Sequence, residues 1–393
     1  MRFGSDREAG LSLFDRADYT QAEGFLTSAL GPCPLDTDVL YRLAYCKAVK
    51  GDMREAGKLA ALAVSLDPGC YQAITILSEV CILTGDYAGA EAYLDRVLEI
   101  APHCPSAEWK KSHCELIRGD FANGFRRNRY GRSNKLRPVR FPDEQWDGSK
   151  TGTLFVWTEQ GRGDVVQFSR FLPSLKQRAE RVVFETYADL VQLYKSQEWA
   201  PDAVVMQPPD FHCPYSFDAH VSLVDLPVYL GIEKPEDVEC PPYIKADPNL
   251  DASQFVQGRK VGIVWQGSGT HQNDAARSIP KECLKPLLKY PLVSLQKYGE
   301  CPDEWLDLGP YLNGYHQTAA VIDLLDVVVT VDTSVAHLAG AMGKEVLMMV
   351  PLNKEWRWGL DGDKTCWYGS MTLVREDSFD DVVKRFASRI RLT

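Results

Sequence analysis

No apolar stretch of this chain approaches the roughly 20 residues of a membrane-spanning helix. The opening residues, MRFGSDREAG, carry no apolar signal core either, so the expectation is a cytoplasmic protein without membrane insertion. Metal-ligand spacings are missing: there is no C-x-x-C pair, no H-E-x-x-H and no Cys/His cluster, and a structural metal is not expected. The eleven cysteines are odd in number and scattered through apolar contexts, as small buried hydrophobes in a reducing compartment would be. Positive charge is in deficit. With 44 Lys and Arg against 54 Asp and Glu, the net charge of −10 disfavours a chain-wide grip on nucleic acid or anionic membrane. The one clear basic run, Arg126, Arg127, Arg129, Arg132, Lys135, Arg137 and Arg140, reads as a solvated linker face and leaves a local nucleic-acid contact open.

What is present points to several folded units. A chain of 393 residues exceeds a single core and implies two or three domains. With 45% hydrophobic and 25% charged residues it has enough apolar surface to fold throughout. Gly51-Asp52, Gly85-Asp86 and Gly119-Asp120 recur at 34-residue intervals, and Ala17-Asp18 stands one period upstream. Ala22, Ala56, Ala90 and Gly124 keep the same register, as do Pro34, Pro68 and Pro102, and as do Tyr19, Met53, Tyr87 and Phe121. A unit of this length with a central turn, small residues where two helices cross and a proline after the second helix resembles the tetratricopeptide repeat. Residues 1–135 are therefore expected to stack helix pairs into a solenoid. Its concave face is expected either to hold a partner or only to extend and stiffen the protein.

Beyond Arg140 short apolar strands alternate with amphipathic helices. Thr151–Trp157, Arg181–Thr186, Ala203–Gln207 and Ala219–Leu223 form one set. Lys260–Ser268, Pro291–Gln296, Asp326–Asp332, which lies in a nearly continuous apolar run that begins at Val321 and reads as strand, and Lys344–Pro351 form another. This is the pattern of two parallel α/β lobes, 150–245 and 258–393, separated by a proline-rich polar linker, Glu239–Lys260. Ligands of such sheets bind outside the carboxyl ends of the strands. One such end is VDTSVAHLAGAMGKEV, where Val331 gives way at once to Asp332, Thr333 and Ser334 and a helix begins. Backbone N–H groups at that helix start could seat a phosphate, or Asp332 or Thr333 could simply cap the helix.

The segments FVWTEQGRGDVVQFSRFLPSLK, VGIVWQGSGTHQNDAARSIP, VSLQ, VDTSVAHLAGAMGK and EWRWGLDGDKTCWYGSMTLVRE, in this order after the repeats, resemble those of TPR-containing bacterial glycosyltransferases. That group has the GT-B fold of two Rossmann-like lobes. It is similar to the ADP-heptose:lipopolysaccharide heptosyltransferases and, more distantly, to O-GlcNAc transferase. The resemblance implies a hexosyl- or heptosyl-type transfer from a nucleotide-diphosphate sugar to an acceptor hydroxyl of a protein, a glycan or another molecule. It needs no metal or other cofactor, and the acceptor is held partly by the repeats. It makes Asp164 the candidate base, with Glu159 as second choice; the competing reading of Asp164 is a helix N-cap. On the donor side it implies Gln266, Gly267, Ser268, Asn273, Arg277, Gln296, Asp332, Thr333, Ser334 and His337. Arg277 is the candidate cation or else a surface arginine, and His271 is a weaker candidate.

Two departures and one decoy accompany the resemblance. His316-Gln317-Thr318-Ala319-Ala320 stands where the family commonly has Asp-Thr-Ala-Ala, which removes a carboxylate. Trp356, Arg357, Trp358, Trp367 and Tyr368 concentrate aromatics that could stack a ligand or pack the C-terminal segment. Asp361-Gly362-Asp363 matches a D-x-D metal motif in form but reads as a tight polar turn. A G-x-G-x-x-G turn is absent, which argues against nicotinamide-dependent chemistry on a nucleotide sugar. An inactive scaffold with the repeats as its working surface is the alternative to a transferase.

Overall fold

The computed structural model describes residues 2–129, 140–141, 145–210, 213–267, 274–350 and 355–390. The chain divides into a helical unit, Met1–Glu115 with Arg126–Leu136, and an α/β unit, Leu116–Phe125 with Arg137–Thr393.

The 34-residue period builds three helix pairs, α1 (Arg2–Asp15) with α2 (Tyr19–Leu30), α3 (Thr37–Val49) with α4 (Met53–Leu66) and α5 (Tyr71–Leu83) with α6 (Tyr87–Ile100), followed by α7 (Pro105–Ile117) and α8 (Phe121–Asn128). Each Gly-Asp dipeptide makes the turn for a physical reason. Gly51, Gly85 and Gly119 adopt φ of 84°, 79° and 86°, a left-handed conformation that ends the first helix without a Cβ clash. Ala17 does the same job at φ 61°, carrying the penalty of its methyl group. The following aspartate caps the second helix: Asp18, Asp52 and Asp86 accept from the N–H groups of Gln21, Glu55 and Gly89 at 3.1, 3.2 and 2.9 Å. Ala22, Ala56 and Ala90 are fully buried where the paired helices cross. The result is a helical, TPR-like N-terminal region.

The α/β unit holds two all-parallel sheets. In the first, β1 (Thr151–Trp157), β2 (Ala179–Thr186), β3 (Ala203–Met206) and β4 (Ala219–Ser222) lie in the order β3-β2-β1-β4. In the second, β5 (Val261–Val264), β6 (Leu292–Ser294), β7 (Leu306–Asp307), β8 (Val327–Val331), β9 (Glu345–Met349) and β10 (Met371–Val374) run β10-β9-β8-β5-β6-β7. The second order is that of a full doubly wound fold, and the first is its 3-2-1-4 portion. Each sheet reverses direction beside its first strand, between β1 and β4 and between β5 and β8. Those two switch points are where such folds place ligands.

Strand burial follows the parallel rule. Every residue of β5, β6 and β8 is buried, as both-face coverage requires. One core of the second sheet joins Ile263, Val329, Leu347 and Met349 to Val383 and Phe386 of the amphipathic helix Phe379–Arg389.

The sequence reading needs three corrections here. Residues 321–323 close a helix, Tyr315–Asp323, and the strand begins only at Val327. An unbroken apolar run does not reveal by its period where a buried helix yields to a buried strand. Strands β7 and β10 were absent from the expected set. The supposed linker is partly built in: Ile244 is buried, Tyr243 and Ile244 both donate backbone N–H to the Ala341 carbonyl at 2.9 and 3.2 Å, and Lys245 N–H reaches Gln197 Oε1 at 2.8 Å.

Candidate functional site

At the end of β1 the backbone turns through Gln160, at φ 65°, into helix α9 (Arg162–Phe168). Asp164 lies in the first turn of α9, not at its N-cap. Its Oδ2 reaches back to accept from the Gly161 N–H at 2.9 Å, and its Oδ1 accepts from the Arg357 guanidinium. Arg357 stands on a single 3-10 turn, Trp356–Trp358, after β9. Its Nε donates to Gln167 Oε1 and its Nη1 to Glu355 Oε2, each at 2.7 Å, and its carbon lies 4.6 Å over the Trp356 ring. Burial alone would lower its pKa, but the charges of Asp164 and Glu355 outweigh it and hold the guanidinium above its ordinary range.

The adjacent tryptophan reaches the second switch point. Trp358 Nε1 donates to Asp332 Oδ2 at 3.0 Å, just after β8, so Asp164 and Asp332 are tied to neighbouring residues of one turn. Burial, reinforced by the nearby Glu355 charge, pushes the Asp332 carboxyl up to about 6, while Trp358, Arg357 and Arg277 pull the other way. His337 is buried and its pKa is driven well below the ordinary value by desolvation and by Arg357 and Arg170, so its ring is neutral. Its Nδ1 sits 2.8 Å from Tyr368 Oη and its Nε2 is 4.0 Å from Asp332 Oδ1.

Helix α9 meets the helix Ser334–Ala341 where Gly163 lies against the His337 imidazole. A Cβ on Gly163 would lie 2.8 Å from His337 Cδ2 and 3.6 Å from the Ser334 Cα, closer to the imidazole than packed atoms come. Thr333 is the N-cap residue of that helix by position, yet its side chain makes no capping bond and lies 3.3 Å from Thr330 Oγ1. Ser334 Oγ accepts from Tyr315 Oη at 2.5 Å. The purely structural expectation, that Asp332 or Thr333 is there to cap the helix, is not what these side chains do.

The remaining expected residues divide. Arg277 is no surface arginine: its side chain is 15% exposed, paired with Asp274 at 3.3 Å and donating to the Asp332 carbonyl at 3.2 Å. Gly267 lies against it, since a Cβ there would be 2.5 Å from Arg277 Nε. Gln296 is spent on structure. Its Oε1 accepts the Trp265 and Gln266 N–H groups at 3.2 and 3.0 Å and its Nε2 donates to the Gln266 carbonyl at 3.1 Å, which fixes the loop after β5. Glu159 is buried at the first switch point and accepts from Ser222 Oγ between β1 and β4. Ser268, His271 and Asn273 lie outside the described residues. Asp361-Gly362-Asp363 is a turn at Gly362 φ 82° whose carbonyls accept from Arg375 and Leu373 at 2.7 and 2.8 Å. A depression of about 1070 Å³ at the β7 edge, lined by Lys281, Lys285, Glu300 and Trp305, does not include the Asp164 group.

No protein-family model matches the chain. Protein FlbA of Caulobacter vibrioides is 24% identical over 300 residues, covering 64% of this chain and 49% of its own, so the chain spans about half the length of the curated relative it matches. Among solved structures, the thermophilic TPR protein TTC0263 of Thermus thermophilus is 17% identical with a TM-score of 0.32, over 35% of this chain and 77% of its own. MamA is 14% identical with a TM-score of 0.30, over 33% of this chain and 77% of its own. Both likenesses concern the helical N-terminal region. Among the described residues no helix is long and apolar enough to cross a membrane, and no group of three or more His, Cys, Asp or Glu could hold a metal.

Three residues of the site were missed in the sequence: Arg357, Gln167 and Arg170. Gln167 follows Asp164 by three positions and so shares its helix face, a signal that was readable. Arg170 is buried beneath three rings, 4.8 Å from Tyr243, 5.3 Å from Trp367 and 5.0 Å from Tyr368. The aromatic concentration resolves as packing: Trp356, Trp358, Trp367 and Tyr368 are all buried, with Phe121 and Trp367 stacked at 5.7 Å and Phe125 and Trp356 edge-on at 5.7 Å.

Proposed function

We propose that the chain is a glycosyltransferase of GT-B type that moves a sugar from a nucleotide-diphosphate donor to an acceptor hydroxyl. The observation that carries this reading is the convergence of Asp164, which follows β1, and Asp332, which follows β8, on the adjacent side chains of Arg357 and Trp358. A carboxylate from one doubly wound sheet and an anion-compatible helix start from the other then share one locality. In the reaction the acceptor hydroxyl gives its proton to the Asp164 carboxylate, and its oxygen bonds to the anomeric carbon of the sugar. The bond from that carbon to the diphosphate oxygen breaks, and the electron pair leaves with the diphosphate. Charge developing there is met by the Ser334–Ala341 helix start and by Arg277 and Arg357. The helical repeats hold a protein or glycan acceptor.

Calorimetric and thermal-shift titration with UDP-, GDP-, ADP-, CMP- and dTDP-sugars, with magnesium and with chelator, tests this. Binding of one donor that is insensitive to chelator, with sugar transfer lost in Asp164→Ala, is the expected result. A second reading, a scaffold that has kept the fold without turnover, is favoured by one feature: Asp164, Asp332 and His337 all find partners within the chain. No binding of any nucleotide sugar would select it.

A further inference from the structure

Both oxygens of the Asp164 carboxylate are engaged within the chain. One oxygen accepts from the Gly161 N–H and the other from Arg357, whose Nε and Nη1 donate to Gln167 and Glu355. The pair links residues 193 positions apart, and the two side chains are 16% and 12% exposed. Buried pairs of this kind add little net stability, because desolvation offsets most of the attraction; their best-attested use is as a switch or register device. A guanidinium between two carboxylates is also the group best shaped to take a diphosphate bidentately. One further observation is an unpartnered buried donor on the residue that holds its Nε. Gln167 is fully buried, its Oε1 is committed to Arg357, and its Nε2 has no acceptor among the described residues. A buried amide donor left unpaired costs free energy that an incoming oxygen would recover.

We propose that Arg357 is exchanged between Asp164 and the donor diphosphate: without donor it occupies the base, and with donor it and the Gln167 amide hold the diphosphate, releasing Asp164 to accept the acceptor proton. This rests on the glycosyltransferase reading and adds to it an order of events. The base becomes free only once the donor is seated, so the acceptor hydroxyl cannot be activated in its absence.

The test is calorimetric binding of UDP, GDP, ADP, CDP and dTDP to the full chain and to Asp164→Asn, Arg357→Gln and the double variant, with circular dichroism to confirm folding. Exchange makes the Asp164 pairing a competitor of the diphosphate. If the pair holds Arg357 about nine-tenths of the time, Asp164→Asn tightens diphosphate binding by about tenfold. Arg357→Gln weakens it by at least that factor, and Asp164→Asn then adds nothing in the double variant. Should Arg357→Gln fail to fold, Arg357→Lys keeps a point charge without the fork, and is expected to bind several-fold more weakly. A nucleoside diphosphate that binds the unaltered chain with equal or greater affinity than it binds Asp164→Asn overturns the exchange and leaves the glycosyltransferase reading standing. Absence of binding by both overturns both.

Discussion

Asp332 carries its charge where ionisation is costly. Its carboxyl is raised to about 6 by burial and by Glu355, with Trp358, Arg357 and Arg277 offsetting only part of the cost. A folded-state pKa above the unfolded one means that the folded protein holds the proton more tightly. This contribution to stability is fully present below about pH 4 and is lost as pH rises through 6. Asp332→Asn keeps an oxygen for Trp358 Nε1 and removes the charge. It is expected to be more stable than the unaltered protein at pH 7, by on the order of 2–3 kcal/mol at most, and equal to it near pH 4. His337 contributes with the opposite sign, its pKa being depressed by burial and by Arg357 and Arg170. Urea denaturation between pH 4 and pH 7 checks this; a difference independent of pH would refute it. The same residue marks what the sequence made readable. Asp332 and Asp164 stand at strand-to-helix junctions, and such junctions are visible as an apolar run followed by small polar residues. Arg357 was read only as one member of an aromatic run, because nothing local reports that its partner lies 193 positions away.

At the scale of the element, the repeat was legible because its punctuation has a strict cause. Only a residue tolerating positive φ ends the first helix of each pair, and only a short acceptor side chain caps the second. Ala17 breaks the rule at φ 61° where Gly51, Gly85 and Gly119 obey it. Replacing it should therefore help. Ala17→Gly is expected to stabilise the helical unit by about 0.5–1 kcal/mol, and Gly85→Ala, at φ 79°, to destabilise it by about 1 kcal/mol. Equilibrium denaturation followed by helix signal gives both values, and equal signs for the two changes would contradict the assignment of these turns. The α/β elements were less fully legible. Short strands such as β7, of two residues, carry too few side chains to show a period, and the helix Tyr315–Asp323 is too apolar to separate from β8 by pattern.

For the whole molecule, the doubly wound order of both sheets follows from connections that the sequence shows only as alternation, strand then helix. Which strands become neighbours is decided by right-handed crossovers and by the packing of helices on both faces, not by any single segment. The cysteines test the molecule as a whole, because they are spread over both units. All eleven are free, from Cys33 and Cys46 in the helical unit to Cys301 and Cys366 in the α/β unit. Burial raises the thiols of Cys46 to about 11 and of Cys366 to about 12, which keeps the reactive thiolate scarce near neutral pH. Thiol titration of the unfolded chain is therefore expected to find eleven groups whether or not reductant was present beforehand. The folded chain should react first at the exposed Cys33 and Cys240, with Cys46, Cys70 and Cys114 protected by the core. Stability in urea should be the same with and without reductant. Loss of thiols in pairs, accompanied by a reductant-sensitive midpoint, would show that the fold depends on disulfides and would overturn the account of these residues as packing groups.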